Sequence, residues 1–489
     1  MNPLFLEVFV VFLGIVMLTI EAIVPSPEKR HLVAIGVGGL ALVLVASFFV
    51  NPHLPAGAPY AAFYSTDALA MFFKRFSIIS AILVIVMSVD YAPVIEEFVP
   101  GEVKGAGVGE FMALPVLTCA GFMWMASAVD FIAIFVSLEL VTISFYVLVA
   151  YLRLSNTSLE AGTKYLILGA LSTGFLVYGI TWIFGVTGQT NLARIAAAIP
   201  TLPADARLPL LFGFGLVLVA LGFKVAGVPF QFWVPDVYQG APTPITAYLS
   251  VASKATGFVV LLRVLDAFLA TAPMHDRIMP VLLLLTAATL LFGNLAALPQ
   301  TNVKRLLAYS SIAHAGYLLM AVSSLGPGTT AAAKAAIVFY LGAYLLMTFL
   351  AFLVLAIVAR SVGGDELMHF NGLGRRSPWL AGAMLMAMLS LAGIPFTAGF
   401  LGKFFIFGVA LEARHYWLVV LGTITVGCGF YYYLRIIRAM YWQPSPENVP
   451  GIVTVSLPGR ISMAALSILI VVAGVCPQTV FTLMWGGAQ

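Results

Sequence analysis

The chain contains 489 residues, of which 62% are hydrophobic and only 9% are charged, and its formal net charge is +4. Because soluble globular domains carry about 25% charged residues, this composition excludes a soluble enzyme and a disordered chain. We expect an all-α polytopic membrane protein.

Counting about 20 residues for each span, we predict fourteen transmembrane helices. The first, from Leu4 to Val24, lacks a basic n-region and contains Glu21, so we expect a retained helix and not a signal peptide. The fourteen centres lie near Phe12, Leu40, Ala81, Cys119, Val141, Leu171, Leu216, Ala255, Thr289, Gly316, Leu345, Pro395, Val426 and Leu469.

The basic residues of the loops are distributed unequally between the two sides of the membrane. Odd-numbered loops carry twelve: Lys29, Arg30, Lys104, Arg153, Lys304, Arg305, Arg360, Arg375, Arg376, Arg435, Arg438 and Arg460. Even-numbered loops carry four: Arg194, Arg207, Arg277 and Arg414. Since cytoplasmic loops are enriched in Lys and Arg, both termini are predicted on the periplasmic side. Lys74 and Arg75 fit either the core or the interface of the third span.

Two nearly identical pentapeptides, residues 226–230 and 392–396, place Pro229 and Pro395 166 residues apart, each within a hydrophobic stretch. Five spans separate equivalent points, so the second copy is inverted in the membrane, as in ion-coupled transporters. Each proline removes a helical hydrogen bond, which predicts breaks in the seventh and twelfth spans. A proline kink without function is the alternative.

The repeat divides the chain into four segments. We expect an N-terminal three-helix segment (1–108), a first repeat of spans four to eight (109–270), a second, inverted repeat of spans nine to thirteen (271–442) and a C-terminal helix (443–489).

Ionisable side chains inside predicted spans are the strongest functional signal, because each is costly at membrane depth. Glu139, Lys224, Lys254 and Lys403 form the proposed working set. Burial disfavours the charged form of lysine and so allows it to release and accept protons. The alternatives are a permanent ion pair for Glu139 and lysines that only tether helices through carbonyl groups.

Lys164 and His314 are further candidates for a proton relay. Lys164 stands near the start of the sixth span, where an interfacial position is equally compatible with the sequence. His314 is central in the tenth span and corresponds to Glu139 in the repeat, but a satisfied core histidine is the alternative. Lys334 is expected to reach the interface.

The sequence carries no motif for a metal or cofactor. Its three cysteines are too far apart for a CxxC pair, and no iron–sulfur, zinc or c-type haem motif is present. No phosphate-binding or dinucleotide-binding glycine motif occurs either. We therefore expect no cofactor and no metal on this chain, and an energy source in an ion gradient or a partner.

Three segments, residues 221–244, 300–312 and 391–403, resemble the antiporter-like subunits of respiratory complex I. The resemblance covers essentially the whole chain. The sequence from Asp236 to Pro242, together with Lys254 and Lys403, is similar to the subunit N branch of that family, the homologue of the mitochondrial ND-two subunit.

The resemblance implies a proton-translocating subunit of NADH:quinone oxidoreductase, and hence an enzyme subunit without a redox centre of its own. It implies that Glu139 pairs with Lys224, that Lys254 links two half-channels, and that Lys403 connects to the opposite face. Quinone, FMN and Fe–S clusters would belong to partner subunits.

The implied partners are a second antiporter-like subunit, small membrane subunits and the lipid bilayer, with no nucleic acid. The implied location is the bacterial cell inner membrane. Two alternatives share the fold: a subunit of a secondary Na⁺(K⁺)/H⁺ antiporter and a subunit of a related membrane hydrogenase.

Overall fold

The computed structural model describes residues 3–24, 29–50, 57–101, 105–445 and 454–478. Over these residues the chain is helical, without an extended strand. Lys104, which contributes to the predicted sidedness, lies outside the described residues. The helices are α1 (Leu4–Ile23), α2 (Arg30–Ala46), α3 (Ala68–Phe98), α4 (Val108–Ser127), α5 (Phe131–Val149), α6 (Asn156–Thr187), α7 (Leu192–Ala198), α8 (Arg207–Val225), α9 (Trp233–Gly240), α10 (Thr243–Tyr248), α11 (Lys254–Phe268), α12 (Ala272–Ala297), α13 (Val303–Val322), α14 (Thr330–Val362), α15 (Leu373–Arg376), α16 (Pro378–Ala392), α17 (Ala398–Glu412), α18 (Tyr416–Trp442) and α19 (Leu457–Val475).

Eleven helical segments in the described part of the chain are long and apolar enough to cross a membrane. They are α1, α3 to α6, α8, the continuous α10–α11 segment, α12, α14, α18 and α19. This result confirms an all-helical membrane protein.

Two of these segments form the centre of the bundle. The most apolar window of the α10–α11 segment is entirely buried, and that of α14 is 94% buried, whereas that of α6 is only 22% buried. A π-helical turn, Leu249–Ser253, joins α10 to α11. Such turns leave carbonyl groups without regular helical partners and are frequent at functional sites.

Successive spans run in opposite directions, so their ends alternate between two faces. We name the face at which α1 begins the N-terminal face. Asp67, which caps α3, and Arg263, near the end of α11, form an ion pair at this face. Asp236 and Arg305 form another at the opposite face.

Both helices that contain the repeated pentapeptide are interrupted there. After α8, Ala226 has a φ of +64°, and the Gly227 amide donates to the Gly222 carbonyl over 2.9 Å. After α16, Gly393 has a φ of +88°, and the Ile394 amide donates to the Leu389 carbonyl over 3.0 Å. These bonds, which span five residues, are those of a helix C-cap that ends in a left-handed residue.

A second feature also occurs twice. Of the three isolated backbone bridges among the described residues, two correspond to each other: Asp130 to Asn191 and Asn302 to Glu366. In each case the first residue caps the helix that follows, α5 or α13, through its side chain. The bridges hold together the ends of α5 and α6 in one case and of α13 and α14 in the other.

Candidate functional site: a buried line of lysines, hydroxyls and histidine

Three lysines of the predicted working set, Lys224, Lys254 and Lys403, lie inside the bundle. His314 lies there as well. Their exposed fractions are 5% for Lys224, 2% for Lys254, 1% for His314 and 6% for Lys403. Such burial is costly for an ionisable group and requires polar partners. The hydrogen bonds of each buried group show which polar partners the protein supplies.

Lys224 stands in the last turn of α8, directly before the first break. Its ammonium donates to the Thr142 hydroxyl of α5 over 3.0 Å. On its other side α11 approaches closely, since a Cβ added at Gly257 would lie 3.3 Å from Lys224 Cγ. A small residue at this point gives the long lysine side chain room beside α11.

Glu139 is half-buried on α5, and its carboxylate accepts a hydrogen bond from Thr173 of α6 over 2.7 Å. Among the described residues it is not within ion-pair distance, 4.0 Å, of Lys224. The direct pair implied by the resemblance is therefore not formed in this structure. Thr142, three residues later on the same face of α5, gives the Lys224 ammonium a nearer acceptor.

Lys254 follows the π-helical turn, and its ammonium donates to both the hydroxyl and the carbonyl oxygen of Ser311 on α13. The Ser311 hydroxyl is also 2.9 Å from the Tyr344 hydroxyl, and 3.3 Å from the hydroxyls of Ser250 and Tyr238. Ser311 is thus the centre of a buried hydroxyl cluster on four helices.

His314 lies one turn further along α13 and is bonded through both ring nitrogens. Nδ1 is 2.5 Å from the Tyr340 hydroxyl, and Nε2 is 3.0 Å from the Tyr433 hydroxyl. Tyr433 also bonds to Ser310, the neighbour of Ser311. A hydroxyl can donate and accept at once, so these groups can pass a proton among themselves, while among the described contacts no hydrogen bond joins them to the Ser311 cluster.

Lys403 is bonded to the backbone of the second break. Its ammonium donates to the carbonyl oxygens of Leu391 and Ala392, over 2.9 Å and 2.8 Å, at the end of α16. The C-terminal end of a helix carries partial negative charge and favours a cation. Lys403 Nζ also lies 5.2 Å from the centre of the Tyr317 ring, within the range of a cation–π interaction.

Lys164 is not part of this interior line. Its side chain is 43% exposed at the opposite face, where it forms ion pairs with Glu160 and Asp236 at 2.8 Å each. Asp236 also pairs with Arg305 at 2.7 Å. Lys334 forms an exposed pair with Asp266 at the N-terminal face, in agreement with its expected interfacial position.

Lys304 was predicted in a loop, and this prediction is wrong. The structure buries its side chain in the first turn of α13, where the ammonium donates to the carbonyls of Gln239 and Ala241. The carbonyls at the end of the short helix α9 require a donor in the interior, and Lys304 supplies it.

Sequence reasoning also missed the hydroxyl groups that bond to the lysines and to His314. Thr142, Ser311, Tyr340 and Tyr433 are all buried and all bond to a predicted site residue. Tyrosine in the middle of an apolar helix was an available signal, because a buried phenol requires a partner. Among the described residues, no hydrogen bond joins Lys224 to Lys254 directly.

Residues 128–429 match the model of the family described as "NADH:quinone oxidoreductase/Mrp antiporter, TM". The NADH-quinone oxidoreductase subunit N of Dehalococcoides mccartyi is 36% identical over 98% of both chains. The chain belongs to this family. The resemblance seen in the sequence, including that to subunit N, is confirmed.

Two solved structures extend the family comparison. A chain of respiratory complex I from Thermus thermophilus with bound aureothin is 31% identical, with a TM-score of 0.78 over 99% of this chain and 100% of that one. A chain of the Mrp complex from Dietzia sp. DQ12-45-1b has a TM-score of 0.83 over 98% and 96%, but is only 20% identical. The second likeness shows the family fold alone.

Proposed function

We propose that this chain is a proton-translocating membrane subunit of NADH:quinone oxidoreductase, at the position of subunit N. The observation that carries the proposal is the set of buried ionisable groups on α11, α13 and α17, namely Lys254, His314 and Lys403, each of which has a hydroxyl or carbonyl partner in the interior of the bundle. Its members can each take up or release a proton or pass one through a hydroxyl.

In the proposed relay, Glu139 and Lys224 form the first station. Glu139 is bonded to Thr173 and Lys224 to Thr142, and no direct ion pair joins them, so a change in a neighbouring subunit alters the field at Lys224 without breaking such a pair. At an effective dielectric constant near 20, unit charges within several ångströms of each other interact by a few kcal/mol, which is enough to change the proton affinity of a neighbouring group.

Lys254 forms the second station, and Lys403 the last. His314, bonded to two tyrosines, carries the proton between them, and its relay role is supported by contacts on both ring nitrogens. Lys164, Asp236 and Arg305 form a cluster of charged side chains at the opposite face, at the proposed entrance of the relay. Lys164 is thus assigned to proton access and not to the interior.

The proposed transmembrane topology has fourteen spans. To the eleven segments that qualify by length and hydropathy are added α2, α13 and the interrupted pair α16–α17, which gives 11 + 3 = 14. The short helix α2 has 17 residues, and α13 has Lys304 and Arg305 at its start. Both termini would then lie on one side, which we place in the periplasm.

Matched features support two inverted repeats, residues 109–270 and 271–442, flanked by the N-terminal (1–108) and C-terminal (443–489) segments. The left-handed residues at the two breaks are 393 − 226 = 167 positions apart. The residues that begin the two backbone bridges are 302 − 130 = 172 positions apart. Equivalent spacing of unrelated features is expected from duplication of one five-span unit.

We place the redox chemistry outside this chain. FMN, Fe–S clusters and quinone are assigned to partner subunits, and a second antiporter-like subunit and small membrane subunits are its neighbours in a bacterial inner membrane. The secondary antiporter is less well supported, since the likeness to the Mrp chain is in fold alone, whereas the complex I chain is 31% identical over nearly the full length.

Purification through a tag on this chain tests the proposal. We expect flavin and Fe–S absorbance to co-purify, together with NADH-driven proton uptake in reconstituted vesicles that falls in Lys224→Ala at normal assembly. A preparation without these chromophores that shows Na⁺-stimulated proton flux would support the antiporter instead. Full proton pumping by Lys224→Ala would contradict the relay assignment.

A further inference from the structure

A second buried cluster of ionisable groups lies in the N-terminal helices, apart from the relay. Lys74 of α3 forms an ion pair with Glu7 of α1 at 2.8 Å. The Tyr64 hydroxyl joins the two, because it accepts from Lys74 over 2.6 Å and donates to Glu7 over 2.8 Å. The Lys74 side chain is fully buried, and that of Glu7 is 11% exposed.

Only one of the two oxygen atoms of the Glu7 carboxylate has a partner in the cluster. Both contacts of the cluster are to Oε1, and among the described residues Oε2 is buried without a hydrogen-bond partner. A buried ion pair contributes little net stability, because desolvation offsets the attraction, and an unpaired oxygen adds a further cost. Net stability therefore does not explain why two charges are kept in the interior at this point.

The position of the cluster fits exchange with water. Glu7 stands in the first turn of α1, and Lys74 is two turns into α3, so both are near the N-terminal face. Asp67, which caps α3, is 46% exposed at that face and pairs with Arg263 of α11. The helix α11 also begins with Lys254, nine residues before Arg263, about 13 Å along the axis.

The matched family region, residues 128–429, does not include Glu7, Tyr64 or Lys74. We propose that these three residues form a proton-exchange site at the N-terminal face, through which the relay of this chain communicates with water. The inference rests on the proposed proton translocation and adds to it a site in the N-terminal helices.

The exchange needs no other reactant than water. Lys74 gives a proton to the Tyr64 oxygen while Tyr64 gives its own to Glu7 Oε1, so that ammonium and carboxylate become amine and carboxylic acid. The acid then releases its proton to water, and the amine accepts one from the interior, which restores the ion pair. The reverse sequence takes up a proton.

A set of neutral variants in the intact complex tests the site. Glu7→Gln and Lys74→Met each leave one buried charge unpaired, and should lower assembly. The double variant removes both charges and should assemble normally. We expect its proton flux per NADH oxidised to fall as far as in Lys254→Met, whereas wild-type flux in the assembled double variant would overturn the inference.

Tyr64→Phe provides a test that does not depend on assembly of the double variant. It keeps the direct contact of Lys74 and Glu7 but removes the hydroxyl that passes the proton between them. We expect normal assembly and a lower proton flux per NADH. Unchanged flux in Tyr64→Phe would remove Tyr64 from the proposed exchange and overturn the three-residue site.

The matched control is the ion pair of Lys334 and Asp266 at the same face, which is exposed and has no tyrosine bridge in the described contacts. The double variant Lys334→Met/Asp266→Asn should leave the flux unchanged. If Lys254→Met also pumps normally, the proposed function itself fails. If Lys254→Met loses flux while the Glu7/Lys74 double variant keeps it, only the N-terminal site fails.

Discussion

The ammonium of Lys403 donates a 2.8 Å hydrogen bond to the carbonyl oxygen of Ala392, the last residue of α16. A side chain from the second half of the twelfth predicted span thus satisfies the open end of the first half. The break and the charge therefore form one unit, since the freed carbonyls stabilise the cation and the cation stabilises the break.

Replacement of Lys403 separates these two roles. Lys403→Met leaves the carbonyls of Leu391 and Ala392 without their donor and should lower both stability and pumping. Lys403→Arg keeps a donor and a positive charge, but the guanidinium does not release its proton. We expect the arginine variant to recover thermal stability but not proton flux per NADH; recovery of both would reduce Lys403 to a tether.

Gly393 is required by the geometry of the same break. Its φ of +88° disfavours any side chain, and an added Cβ would lie 3.1 Å from Lys403 Cδ. Gly393→Ala should lower the free energy of unfolding by about 1–2 kcal/mol, measured by chemical unfolding in detergent. Gly382→Ala is the matched control on α16, because its Cβ would meet no atom within 4 Å. Equal stability of the two variants would contradict the strain.

The residues that could be predicted from the sequence are those whose local surroundings already require a special role. Pro229 and Pro395 interrupt hydrophobic runs, and lysines within such runs are costly wherever they point. The interruptions and the burial of Lys224, Lys254 and Lys403 follow from such one-dimensional patterns.

The partners of these residues depend on contacts between distant segments and could not be predicted in this way. Ser311 becomes the acceptor for Lys254 only because α13 packs beside α11, and Thr142 takes the place expected for Glu139 beside Lys224. Lys304 was misplaced because its charge, next to Arg305, resembles that of a loop. Its burial depends on the position of α9.

We predict that the Ser311 hydroxyl passes protons between Lys254 and the neighbouring tyrosines. Ser311→Ala removes the shared hydroxyl and leaves the ammonium with the Ser311 carbonyl alone, so that Lys254 stays paired while its route to the tyrosines is cut. We expect lower proton flux per NADH at normal assembly. Ser324→Ala, a buried serine that bonds to its own turn through Met320, should pump normally. Wild-type flux in both variants would exclude the hydroxyl path.

Tyr433 connects His314 to Ser310, so Tyr433→Phe tests the continuation of the line with the ring shape kept. The variant leaves His314 and Ser310 without this hydroxyl, which should lower the free energy of unfolding by about 1–3 kcal/mol and also lower the proton flux. Tyr431→Phe on the same helix is the control, because its side chain is exposed. A stability loss with full pumping would assign Tyr433 to the core and not to the relay.

Asp67 should make the folded protein sensitive to acid. Burial raises the pKa of its carboxyl, but the charge and hydrogen bonds of Arg263 outweigh this effect and hold the pKa below its ordinary value. A carboxyl with a lowered pKa contributes stability above its unfolded value, and this contribution is lost as the pH falls through the folded value. Stability should therefore decline on acidification into the carboxyl range.

Thermal unfolding at neutral and acidic pH measures this contribution in Asp67→Asn. The variant should be less stable at neutral pH by about 1 kcal/mol, because the carboxylate is partly exposed. Its stability should change less between the two pH values than that of the wild type. Asp205→Asn, an exposed carboxylate before α8, should show the wild-type pH dependence. Parallel pH curves for Asp67→Asn and the wild type would remove Asp67 as the source of the acid sensitivity.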